Sequence, residues 1–187
     1  NKEVANLVKS ILSAESISQD SMTMLFWNSS FNNELLHYLN SNVYFPSFYS
    51  GRLIIKKEDV NACIKELKET EDVVRAWTIL TIETVGRKYL TLLKKFNLMQ
   101  GSINKSIVHP YLSDKMFILF LYWLTAIESR PNLLESEWLK YSFCERPVFI
   151  ERLMQKKFAR YFQFIYTGDR LTIETIVSYE KIYDAVN

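Results

Sequence analysis

The stretch that most constrains this chain is MFILFLYWLTAI, Met116 to Ile127, in which Thr125 is the only polar side chain. A bilayer crossing needs about 20 apolar residues. This run is too short, and Asp114, Lys115, Glu128 and Arg130 flank it closely. It reads as a helix buried on nearly every side, and such a helix needs several packed neighbours.

The rest of the sequence can supply them. Apolar residues make up 48% of the 187, and aromatics 14%, enough for a large core. Glycine and proline number only four each. That scarcity argues against hairpin-rich β folds and against glycine-rich phosphate loops. Apolar spacing at three and four residues recurs along the chain. It predicts an all-α domain of roughly seven to nine helices spanning residues 1–187. Two architectures fit: an irregular helical stack of HEAT-like or armadillo-like character, or a globular bundle around Met116–Ile127.

The expected helices begin with Val4 to Ile11 and a polar connector over Ser13–Asp20. Met22–Leu39 follows, with a break near Asn28. Residues 41–56 read as the least helical part, because Pro46 disfavours a helical Phe45 and Gly51 permits a turn. Tyr44, Phe45, Phe48 and Tyr49 should pack onto the body, and Leu53–Ile55 fits a short strand. Helices are expected over Lys57–Glu69, over Thr70 to about Leu98, and over Asn132–Phe143. The Thr70 helix would turn Val73, Trp77 and Leu80 inward. Another is expected from Pro147 to Gly168, and a last from Leu171 to Ala185.

Signals for catalysis are sparse. His37, Cys63, His109 and Cys144 are scattered singly, without the close pairing of a zinc site. The paired carboxylates Glu58/Asp59 and Glu71/Asp72 sit at helix starts, where the dipole favours them. Glu135 and Glu137 diverge on a helix. No nucleophile elbow, Walker loop or dinucleotide loop occurs. The expectation is a non-enzyme without cofactor or metal. Two cysteines do not make a secreted disulfide framework, which favours a cytoplasmic or nuclear setting. The chain starts at Asn1 and reads as a piece of a larger protein. The sequons at Asn28 and Asn104 are no more than chance supplies.

Charge is the remaining lead. Residues 1–84 carry a net −3 and residues 85–187 a net +5. On a helix starting at Pro147, Ile150, Leu153, Met154, Phe158, Tyr161, Phe162 and Ile165 share one face. Arg152, Lys156 and Arg160 share the other, with Lys157 near the boundary. A second basic group, Arg87, Lys88, Lys94 and Lys95, lies on the wet side of the long helix. These eight residues are the candidate partner-binding set. They point to a scaffold or adaptor domain that takes another protein, such as an acidic or helical segment, in a groove or on its basic face. The alternative is a nucleic-acid-binding helical domain using the same residues.

Overall fold

A computed structural model describes residues 2–12, 18–102 and 105–186. Most of the expected Ser13–Asp20 connector and the Asn104 sequon lie outside the described residues. The fold is predominantly helical. In chain order it contains α1 (Lys2–Leu12), α2 (Gln19–Phe31), α3 (Glu34–Leu39), α4 (Phe45–Tyr49), α5 (Lys57–Thr70), α6 (Asp72–Arg75) and α7 (Ile79–Lys95). Strands β1 (Met99–Gln100) and β2 (Ser106–Ile107) precede α8 (Asp114–Ile127) and α9 (Arg146–Leu153). Strands β3 (Phe162–Tyr166) and β4 (Leu171–Thr175) and helix α10 (Ile182–Ala185) complete it. Each strand pair is a two-stranded antiparallel sheet. The chain divides into two compact units, Asn1–Ser21 with Tyr111–Asn187, and Met22–Pro110.

The first unit is organised by α8. Ser113 caps it by accepting the Met116 N–H, and every residue from Met116 to Leu124 is buried. Phe117 packs against Phe149 of α9 and against Phe158, each with ring centroids 5.4 Å apart. Trp123 meets Trp138 and Tyr141, both from the second of two 3-10 turns, Leu133–Glu135 and Glu137–Ser142. Val4, Leu7 and Ile11 of α1 are buried. Burying one such side chain contributes about 2 kcal/mol, so α8 and its surroundings dominate the stability of this unit.

Tyr122 makes the polar join in that core. Its hydroxyl donates to the Tyr161 carbonyl (2.7 Å) and accepts from the Val177 N–H (3.1 Å). One phenol thereby fixes the base of the β3–β4 hairpin to α8. Burial pushes its pKa up to about 12.

In the second unit α5 packs against α7. Residues 40–49 are helical throughout: a π-turn, Asn40–Tyr44, runs directly into α4. The expected loop is therefore wrong. Pro46 falls in the first turn of α4, where its missing N–H costs nothing, and Phe45 stays helical because its ring is buried. The π-turn is held by a buried chain of hydrogen bonds. Tyr89 donates to Asn40 (2.9 Å), Asn40 to Ser30 (2.9 Å), and Ser30 to the Phe26 carbonyl (2.8 Å). Tyr44, Phe45 and Phe48 are buried, as their density of aromatics implied. The expected strand at Leu53–Ile55 is reduced to one bridge, Ile54 to Ser106.

Four helix expectations fail, that over Asn132–Phe143 giving two 3-10 turns split at the extended Ser136. The run from Thr70 to Leu98 breaks after Arg75, and α7 starts at Ile79 with Thr78 as its cap, accepting the Thr81 N–H. The run from Pro147 stops at Leu153, passes through a 3-10 turn at Lys156–Phe158, and becomes β3. The run from Leu171 is β4 followed by α10. Phe162 to Tyr166 and Leu171 to Thr175 are rich in aromatic and β-branched residues, and Gly168 (φ 92) provides the turn between them.

Candidate functional site

The basic stripe expected on the Pro147 helix does not exist as a stripe, because its residues fall on three different elements. Arg152 is 7% exposed and holds structure together. Its guanidinium donates to the Leu112 carbonyl (2.6 Å) and to Asp114 (3.1 Å), and lies over the rings of Phe117 and Tyr111. Lys157 reaches the other carboxylate oxygen of Asp114 at 2.5 Å. The hydrogen bond from Lys157, aided by that from Arg152, holds the Asp114 carboxyl below the usual range. Arg152 and Lys157 thus clamp the start of α8. Lys156 and Arg160 are exposed, and Arg160 covers the Tyr161 ring. Met154 and Ile165, expected in the core, are exposed instead.

The second basic group keeps its geometry. Arg87, Lys88, Lys94 and Lys95 are all exposed on α7. At about 100° per residue, Leu80, Arg87, Thr91 and Lys94 form one outward line, opposite the buried Ile82, Gly86, Tyr89 and Leu93. Among the described residues no carboxylate pairs with any of the four cations; the outward Glu83 lies near Lys57 (3.9 Å). Lys94 also donates to the Gly101 carbonyl (2.9 Å), which brings the β1–β2 hairpin to the end of α7. Lys105 sits there too. Burial, and then the charge of Lys94, push its ammonium below the usual lysine value.

The start of the same helix is apolar and wet. Ile79 is 72% exposed and Leu80 73%, with Val73 of α6 exposed nearby in sequence. Val73 and Leu80 were expected inward on one continuous helix. The break at residues 76–78 resets the helical phase and turns Leu80 out. Thr78, a strong capping residue just before an apolar run, was the signal in the sequence for that break. Lys105 had no comparable signal, because its place depends on the β1–β2 hairpin.

A groove of about 450 Å³ also lies in this unit, lined by Asn42, Ser47, Arg52, Asp59, Cys63 and Glu66 among others. Two of its three charged residues are matched to each other, Arg52 to Asp59 at 2.6 Å. Burial pushes the Cys63 thiol up, opposed by a hydrogen bond with Tyr38, so it is no activated nucleophile. Cys144, beside Arg152, is likewise pushed up by burial. His109 packs at a tilt against Phe48, with ring centroids 4.9 Å apart. Among the described residues no group of three or more His, Cys, Asp and Glu is arranged to hold a metal ion. No helix is long and apolar enough to cross a membrane, again among the described residues.

Comparison with known families supplies one match. The family model described as BrxA matches residues 4–121, well over half of the chain. The chain belongs to the BrxA family. No curated protein and no solved structure matches it. The BrxA match takes in α7 and its four cations and ends within α8. Arg152, Lys156, Lys157 and Arg160 lie beyond it.

Proposed function

We propose that this BrxA-family chain is a non-enzymatic interaction domain, of scaffold or adaptor type, whose docking surface is the outward face of α7. One observation carries the proposal. One large apolar side chain, Leu80, stands exposed at the start of an outward line that continues through Arg87 and Lys94, with Lys88 and Lys95 to one side of that line and the exposed Ile79 to the other. An exposed apolar side chain next to charge predominantly of one sign, here broken only by Glu83 near Lys57, is the make-up of a protein interface with a desolvated anchor and a steering rim. The complementary partner is a segment with apolar residues at one end and acidic residues along the rest.

The test is a capture experiment on nuclease-treated lysate with the wild-type chain, with Leu80→Asp, and with Arg87→Glu/Lys94→Glu. A partner retained by the wild type and lost from both variants supports the reading. A partner retained equally by all three contradicts it.

A second reading has its own support. The four exposed cations of α7, none paired with a carboxylate among the described residues, concentrate positive charge as phosphate backbone requires. Under that reading the chain binds DNA or RNA directly, affinity falls steeply with salt, and Leu80→Asp has little effect.

A further inference from the structure

We propose that the groove between α5 and the π-turn with α4 binds a small hydroxylated amine, of the amino-sugar class. At about 450 Å³ it falls within the span of small-molecule sites. One wall is α5, which contributes Asp59, Ala62, Cys63 and Glu66. Offsets of three, four and seven residues put all four on one face of that helix. The other wall is formed by residues 42–50, Ser47 among them. Ala62, Cys63 and Ser47 are small, so the two walls leave the space between them unfilled. The π-turn at Asn40–Tyr44 supplies part of the second wall, and π-turns recur at functional sites.

The polar groups of the groove lack partners within the chain. Ser47 is only 7% exposed. Its carbonyl accepts from the Arg52 N–H (3.0 Å) and the Ser50 hydroxyl (3.2 Å). Its own hydroxyl has no hydrogen-bond partner among the described residues. Hydroxyls withdrawn from bulk water are paired as a rule, and a group seated in the groove would complete this one. Asn42 on the rim is half used. Its Nδ2 donates to the Tyr38 carbonyl (2.8 Å), which leaves Oδ1 as a spare acceptor.

Charge selects the ligand. Arg52 and Asp59 neutralise each other at one end (2.6 Å), and Asp59 also accepts the Lys56 N–H (2.8 Å). Glu66 stands two turns further along α5, about 10 Å away. It is in no ion pair among the described residues. Burial first, and the charge of Glu66 after it, push the Cys63 thiol up, so this carboxylate stands near the buried Cys63. An ammonium group on Glu66 and hydroxyls on Ser47 and Asn42 satisfy all three. An anionic ligand would be repelled by Glu66, and an apolar one would cover the Ser47 hydroxyl without bonding it.

Glucosamine is the probe. Glucose and N-acetylglucosamine are the controls, since both keep the hydroxyls and lack the charge. Amide chemical-shift titration of the full chain should show glucosamine moving signals of residues 42–50 and 59–66. Its dissociation constant should be millimolar or lower, and both controls should bind roughly fivefold more weakly. Glu66→Gln should cost glucosamine roughly fivefold and Ser47→Ala roughly threefold in affinity. Ala62 is exposed, so Ala62→Leu fills the groove from the rim and should abolish binding with an unchanged circular dichroism spectrum. That variant decides the matter if Ser47→Ala disturbs α4. Absence of any response at roughly ten millimolar glucosamine overturns the proposal. So does equal binding of N-acetylglucosamine, or an affinity indifferent to both Glu66→Gln and Ala62→Leu.

Discussion

Gly86 of α7 lies directly beneath Asn61 of α5: a methyl group on Gly86 would come 2.4 Å from the Asn61 Oδ1. That oxygen is buried and accepts no hydrogen bond. The absence of a side chain at residue 86 lets the two longest helices of the second unit approach. Gly86→Ala should therefore destabilise the unit by about 1 kcal/mol or more through overpacking. In an Asn61→Ala background the clash and the unsatisfied oxygen both disappear. There the same substitution should stabilise by up to about 1 kcal/mol, the helix-propensity gain of alanine over glycine. Urea unfolding of the two singles and the double reads this change of sign. An additive result contradicts the contact.

Arg152 and the exposed cations near it should part company in stability. Arg152→Ala leaves the Leu112 carbonyl without its donor and removes the stem packed on Phe117. The cost should be about 2 kcal/mol or more. Lys156→Ala and Arg160→Ala should stay within about 0.5 kcal/mol. Thermal melts of the three variants decide it. Equal effects would mean that Arg152 is not the clamp described.

Acid should release that clamp. Lys157 first, and Arg152 with it, hold the Asp114 carboxyl below its ordinary value. For a group whose folded pKa is depressed, the stabilisation is fully present above the unfolded pKa, about 4 for aspartate. It is lost as pH falls through the folded value. Asp114→Asn should be less stable than wild type at neutral pH, and the gap should close as pH drops below about 4. A gap constant across that range contradicts the assignment.

Alkali should act on Tyr122 with the opposite sense. Its folded pKa, pushed up to about 12 by burial, lies above the ordinary tyrosine value near 10. Stability is then complete below pH of about 10 and falls as pH climbs towards 12. Tyr122→Phe loses the bonds to Tyr161 and Val177, costing about 1–3 kcal/mol at neutral pH. Its unfolding should also lose part of this alkaline dependence. Denaturant midpoints between pH 8 and pH 11 measure both effects.

How much of this was legible in the sequence depends on range. The buried α8, its Ser113 cap and the core aromatics of residues 44–49 follow from local composition, and all three are present. Leu171–Ala185 and Pro147–Gly168 misled because apolar residues three and four apart also suit a strand flanked by short turns. At FQFIY the β-branched and aromatic content outweighs the helical period. Arg152 reads as a wet-face cation by its spacing. Its burial depends on the Leu112 carbonyl and Asp114, some forty residues away. Leu80 was misplaced by a three-residue break, and the apolar end of the α7 face was hidden with it.

A partner docked on α7 would engage its apolar start and its basic length together. Crosslinking in cells with a photoreactive residue at Thr91, on the outward line between Arg87 and Lys94, tests it most directly. One discrete protein adduct should form, abolished by Leu80→Asp and by Arg87→Glu/Lys94→Glu and unchanged by Lys156→Glu/Arg160→Glu. An adduct that survives both α7 variants, or one made to nucleic acid and insensitive to Leu80→Asp, would contradict it.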